Sequence, residues 1–240
     1  MIDAATLTGL LDATWPAVSR REIDGWTIRE GGGGGSRVSA ATLAVPGSDA
    51  DIAKAEAAMR DLGQPPLFMV REGEDALDAT LAAAGYRVKD PTVGYAAPTA
   101  SVIRPIPRLA VAPSWPPLAI QREIWAAGGI GPSRLAIMER AASPKTTLLG
   151  RHDDTPAGTV FVARHGEVAM LHALEVALPH RRCGLGYALV SGVGRWADAH
   201  DATRLAVLAT RANRAATALY ASMGFARATA YHYRIHPDAP

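Results

Sequence analysis

The chain has 240 residues, 48% of them hydrophobic and 20% charged, with 25 Lys and Arg against 23 Asp and Glu and a formal net charge of +2. That much apolar content supports one or two packed domains and excludes wholesale disorder, while the near-neutral balance excludes a dedicated nucleic-acid clamp. A single cysteine, Cys183, excludes a disulfide scaffold, and no apolar run is long enough to span a membrane.

The N-terminus carries acids where a leader would be basic and then apolar, so no signal peptide is expected and the cytoplasm is the expected compartment. Residues 6–18 read as a helix. Residues 25–30 and 37–45 read as strands joined by the glycines at 31–35. Those glycines fit a hairpin connection better than a phosphate loop, because no Lys-Ser or Lys-Thr pair follows them. A helix over 49–62 has Ser48 or Asp49 as its cap, a strand follows at 66–71, a helix at 75–84 and a strand at 86–95. The proline-rich stretch 101–117 reads as a connection, with a strand at 108–112 as an option. Helices are expected at 118–127 and 133–142, antiparallel strands at 146–151 and 158–164, and a long apolar strand at 167–176. A helix over 184–200, a strand over 204–210, a helix over 213–223 and a strand over 225–235 finish the chain. This alternation argues an α/β fold with a mixed sheet.

The stretch Leu174 to Tyr187, LEVALPHRRCGLGY, carries the chemistry. A buried strand ends at Val176, and a loop through Arg181, Arg182 and Cys183 reaches Gly184, Leu185 and Gly186, where a helix begins. The amides of a helix start are unpaired and carry the positive end of the macrodipole, which suits a pyrophosphate. The glycines let the backbone approach a bulky anion. The spacing does not fit a dinucleotide fingerprint. Downstream stands a second pattern: Asn213, Ala216, Leu219, Tyr220, Gly224 and Phe225 in the order N-x-x-A-x-x-L-Y-x-x-x-G-F.

The two motifs together resemble the GNAT superfamily of acetyl-coenzyme A-dependent N-acetyltransferases, over about residues 118–235. The resemblance implies a GNAT fold and acetyl-coenzyme A as co-substrate; no metal, nucleic-acid or membrane partner is expected, and the chain is expected to be a monomer or a homodimer. Leu174, Glu175 and Val176 would pair with the pantetheine arm like an added strand, and Arg182 through Tyr187 would cradle the pyrophosphate, with Arg181 adding charge. Asn213 would bond the cofactor or the neighbouring strand, and Tyr220 would protonate the departing thiolate. For the general base two residues stay open, His172 and Glu175. Strand alternation puts His172, Leu174 and Val176 on one face and Leu171, Ala173 and Glu175 on the other. Arylalkylamine-type members carry histidines on this strand. Members that acetylate ribosomal proteins have Glu five residues before the asparagine; Leu208 stands here, which argues against a peptide N-terminus. Cys183 occupies a variable slot of the turn. Tyr231 and Tyr233 either line the acceptor site or pack on the sheet. A small-molecule primary amine is the expected acceptor. A coenzyme A-binding sensor that no longer catalyses and a protein-modifying acetyltransferase are the alternatives.

The first hundred residues look like a decayed copy of the second half. Residues 71–86 match 210–225 at an offset of 139, with Glu74 in place of Asn213 and Leu81 in place of Tyr220. Asp49 and Asp51 stand where the second copy has arginines and glycines, and two carboxylates repel a pyrophosphate. The expected organisation is a degenerate GNAT-like domain over 1–100 that binds no cofactor, a connection over 101–117 and a catalytic domain over 118–240.

Overall fold

The computed structural model describes residues 2–45, 47–106 and 110–238. Helix α1 (Ala4–Thr14) starts at Asp3, whose side chain accepts from the Thr6 amide. A small antiparallel sheet follows, made of β1 (Ser19–Ile23), β2 (Trp26–Glu30) and, beyond the helical turn α2 (Ser36–Ser39), β3 (Thr42–Leu43). Next come α3 (Ile52–Asp61), β4 (Leu67–Arg71), α4 (Asp75–Ala83) and β5 (Arg87–Pro98). The proline-rich stretch contains a turn of helix, α5 (Thr99–Val102), and an edge strand, β6 (Val111–Ser114). The second half continues with α6 (Ala119–Ala127), α7 (Pro132–Arg140) and the meander β7 (Lys145–His152), β8 (Thr155–His165), β9 (Val168–Val176). It closes with α8 (Leu185–Asp198), β10 (Arg204–Thr210), α9 (Arg214–Ser222) and β11 (Ala226–Ile235). Among the described residues no helix is long and apolar enough to cross a membrane.

Eight strands form one mixed sheet in the order β4-β11-β5-β10-β9-β8-β7-β6. Its one parallel pair is β9 with β10. The sheet does not stop near residue 100. β5, from the first half, lies between β10 and β11, while β11 lies between β5 and β4. Each half thus lends its last strand to the other. The face bearing Phe161, Met170 and Leu208 packs against α1, Trp125 of α6 and the buried side chains of α7. The opposite face, with Val160, Leu171 and Val207, packs against α8 and α9. A third cluster, centred on Trp26, Met59, Phe68 and Leu81, fills the first half.

Some expectations are corrected. Residues 37–45 do not run as a strand: Ser36–Ser39 is helical and only Thr42–Leu43 pairs with β2. Val38, Ala40 and Ala41 are fully buried there, a demand that a helical turn meets as well as an alternating strand does. The glycines at 31–35 do connect two antiparallel strands, β2 and β3, but not as a floppy link. Gly31 donates to Gln64 Oε1 (2.6 Å), and a Cβ on Gly34 would come within 2.5 Å of Ile137, so this loop is packed and pinned. The α3 cap is Asp51, which accepts from the Ala53 amide, two residues later than expected. Strand β1 escaped notice because SRREI has no apolar face and is mostly exposed. Part of the optional strand at 108–112 lies outside the described residues; the strand that forms, β6, pairs with β7 from Val111 onward.

Candidate active site

β9 and β10 start as neighbours and then part. Their ladder runs from Val168 opposite Arg204 to Leu171 opposite Val207 and ends there, although both strands continue. The cause is a bulge in β9. Thr159 faces Glu175 and Phe161 faces His172, so β9 spends one residue more than β8. Ala173 takes up the excess in the left-handed region at φ 52°, and the Trp125 indole N–H holds its carbonyl at 2.7 Å. Beyond the bulge the backbone of β9 has no ladder partner on the β10 side.

The bulge also overturns the expected alternation. His172 packs with Trp15 and Phe161 on the α1 side of the sheet, whereas Leu174 and Val176 join Leu171 against α8. Glu175 returns to the side of α6, where it crowds Gly128. A single extra residue swaps the faces of everything after it.

A cavity of about 390 Å³ occupies the gap. Its walls are residues 171–174 of β9, residues 207–210 of β10, and Asn213, Ala216 and Tyr220 at the start and inner face of α9. The first half supplies Trp15, the segment Gly34 to Arg37, Asp90 and Thr92; β11 supplies Tyr231 and Tyr233, and the α6–α7 region adds Ile130 and Arg134. Residues from both faces of the sheet line it, so it passes through the sheet at the split.

His172 is buried within it. Its ring stacks on Trp15 at 4.8 Å, and Nε2 lies 2.9 Å from Thr14 Oγ1. Nδ1 is buried without a hydrogen-bond partner. Burial, aided by the Arg37 guanidinium, drives the imidazole well below its ordinary range, so it is neutral. Tyr220 is buried and tilted against Phe225 and Tyr95. Burial raises its phenol well above the ordinary value, and Arg37 pulls the other way. Burial does the same to Tyr233, with Tyr231 beside it.

At the mouth of the gap, α8 begins at Gly184, which sits at φ 82° with open space where a Cβ would point. Asp3, Asp51 and Asn213 cap α1, α3 and α9 with side chains, but no side chain caps α8. Its first-turn amides are therefore open to an outside acceptor. Cys183 is exposed in the same turn. Gly186 lies against Leu219, where a Cβ would come within 3.3 Å, so α8 and α9 converge at this end.

A sequence profile of the acetyltransferase (GNAT) family matches residues 109–225. Among curated relatives, the uncharacterized N-acetyltransferase YobR of Bacillus subtilis (strain 168) is 27% identical over 252 residues, covering 98% of this chain and 99% of its own length. A solved GCN5-related N-acetyltransferase from Kribbella flavida superposes with a TM-score of 0.72 at 16% identity, over 98% of this chain and 96% of that one. A tandem GNAT protein from the clavulanic acid biosynthesis pathway gives a TM-score of 0.60 at 15% identity, over 84% and 76%. The two structures bear on the fold.

Residues 109–225 form a GNAT acetyltransferase domain. The chain is an acyltransferase with a GNAT fold that runs through most of its length.

Within this GNAT fold the sequence-derived candidates divide in two. His172, Leu174, Asn213 and Tyr220 meet at the cavity. Glu175, Val176 and residues 181–187 sit outside its lining. There Arg181 donates from Nε to the Val176 carbonyl and from Nη2 to Glu175 Oε1, each at 2.9 Å. Glu175 thus has a structural partner and packs at the end of α6. The Asn213 side-chain oxygen caps α9 by accepting from the Ala216 amide, and its backbone amide donates to the Thr210 carbonyl at the end of β10. Trp15, Arg37 and Arg134 were not singled out from the sequence. Arg37 had a signal, since it stands two residues after a run of five glycines that the fold packs in place.

Proposed function

We propose that the chain moves an acetyl group from acetyl-coenzyme A to the primary amine of a small molecule, by direct attack in a ternary complex. The observation that carries this is the unladdered edge of β9 beyond Leu171, next to the uncapped start of α8. An extended amide-bearing arm can add to such an edge as a strand does, and a diphosphate suits the helix start. Leu174, Glu175 and Val176 would take the arm. Arg182, Cys183, Gly184, Leu185, Gly186 and Tyr187 would wrap the diphosphate, with Arg181 bracing the loop.

In the reaction the amine nitrogen attacks the thioester carbonyl, a C–N bond forms, the C–S bond breaks and the amine gives up a proton. His172, neutral and with Nδ1 bare, accepts that proton through water and holds it only in passing, because burial and Arg37 disfavour the imidazolium. Tyr220 gives its hydroxyl proton to the sulfur as the C–S bond breaks, in a buried setting that disfavours a bare thiolate as it does a phenolate. Glu175 is the weaker base candidate, because Arg181 holds its carboxylate.

The first half, on this view, is a copy that has lost the cofactor site. Where the second half opens between β9 and β10, the first half is bridged: Ala41 bonds both Leu67 and Met69 across β3 and β4, and Arg71 reaches the Leu43 carbonyl while paired to buried Glu74. Asp51 already occupies the start of α3. What this half retains is a wall of the acceptor cavity.

Thiol release from acetyl-coenzyme A across an amine panel tests the proposal. Tyr220→Phe is expected to lower kcat by about a hundredfold with the KM for acetyl-coenzyme A unchanged, the size of a lost general acid. Wild-type turnover in Tyr220→Phe removes that role. Tight binding of acetyl-coenzyme A with no turnover on any amine favours a sensor instead.

A further inference from the structure

The cavity wall carries a cation that no carboxylate contacts among the described residues. Arg37, on α2, lines it and has no ion pair or hydrogen bond among the described residues. Arg37 is half-buried, and its charge acts on the buried His172, Tyr220 and Tyr233, as that of Asp90 does on Tyr233. Arg134 stands in the same wall, held by a single 3.4 Å bond to the Gly129 carbonyl. The one carboxylate in the wall, Asp90, pairs with neither arginine among the described residues.

The position is not an accident of a loose loop. Val38, the next residue, is fully buried, and Gly34 lies so close to Ile137 that no side chain fits there. A half-buried guanidinium on the wall of a chamber, with no partner of its own, is placed to bond an anion of matching geometry. That anion does not come from the diphosphate loop, since none of residues 181–186 lines this chamber. A planar fork of N–H donors matches a carboxylate.

We propose that the acceptor is a carboxylate-bearing primary amine, of the amino-acid class, with Arg37 as the group that takes its carboxylate. This rests on the transferase reading above for the fate of the amine, but the carboxylate site can be tested without turnover.

Isothermal titration with coenzyme A present compares each amino acid with its decarboxylated counterpart: alanine with ethylamine, phenylalanine with phenethylamine, lysine with cadaverine. Phosphoethanolamine supplies a phosphate in place of the carboxylate. At least one carboxylate-bearing member should bind about tenfold or more tighter than its partner, the scale of a charged hydrogen-bonded pair. Arg37→Met should reduce that preference to about twofold or less, and Arg37→Lys should keep part of it. Equal binding within pairs, no heat from any carboxylate-bearing member, tighter binding of phosphoethanolamine, or a preference that survives in Arg37→Met overturns the proposal. Preserved preference without any thiol release overturns the transferase reading and leaves the carboxylate site standing.

Discussion

His172 shows how one buried side chain ties stability to the site. The Thr14 hydroxyl donates to the Leu10 carbonyl, so its oxygen is left to accept, and His172 Nε2 carries the hydrogen that it accepts. Nδ1 is then the bare nitrogen, buried without a partner. Protonating it would bury a second positive charge close to that of Arg37, and its pKa lies below that of the free side chain for that reason. Below the free value of about 6.5 the unfolded chain takes up a proton that the folded chain refuses. Stability contributed by this residue is therefore complete above that pH. It falls as pH drops below it, by up to about 1.4 kcal/mol per pH unit. Urea denaturation at about pH 7.5 and about pH 5 should show a larger loss for wild type than for His172→Gln, which has no proton to refuse. Equal losses would place the acid sensitivity elsewhere.

The opening between β9 and β10 belongs to elements. It exists because β9 spends one extra residue at Ala173, and that residue is held from outside by Trp125 on α6. Removing the indole N–H with Trp125→Phe keeps much of the ring but leaves the Ala173 carbonyl without its partner. An unsatisfied buried acceptor costs about 1–3 kcal/mol, which urea denaturation reads directly. The same change at Trp115, an exposed ring that sits over Lys145, should cost much less. The limit of sequence reasoning shows here as well. Nine residues from Val168 to Val176 read plainly as a strand, and the glycines after Val176 as a helix start. The bulge left no mark, because Leu171, Ala173 and Leu174 are apolar on either phase of the alternation. Hence Glu175 was assigned to the wrong side. The helix α2 was hidden for a similar reason: Val38, Ala40 and Ala41 are as compatible with a strand as with the turn that buries them.

At the scale of the molecule, residues 71–86 and 210–225 read alike at an offset of 139, because glycine-aromatic ends both helices and each runs into a strand. What each last strand pairs with was not legible, since β5 and β11 alternate alike and either could complete either sheet. In the structure they are exchanged: β5 pairs along Thr92 to Pro98 with β10, and β11 pairs along Tyr231 to Ile235 with β4. This has a consequence for folding. A fragment of residues 110–240 lacks β5, so β10 and β11 lose the strand that joins them, and it also lacks α1, whose Leu10, Leu11 and the adjoining Trp15 cover Phe161 and Met170. A fragment of residues 1–106 likewise lacks β11, which separates β4 from β5. Unpaired strand edges beside uncovered apolar faces aggregate or stay unfolded. Neither fragment expressed alone should therefore show a cooperative urea transition, whereas the two co-expressed should co-purify as a one-to-one complex that unfolds in a single step. A cooperative, monomeric fragment of residues 110–240 would mean that β10 and β11 can pair directly, and that the exchanged strands add to the site without being needed for the fold.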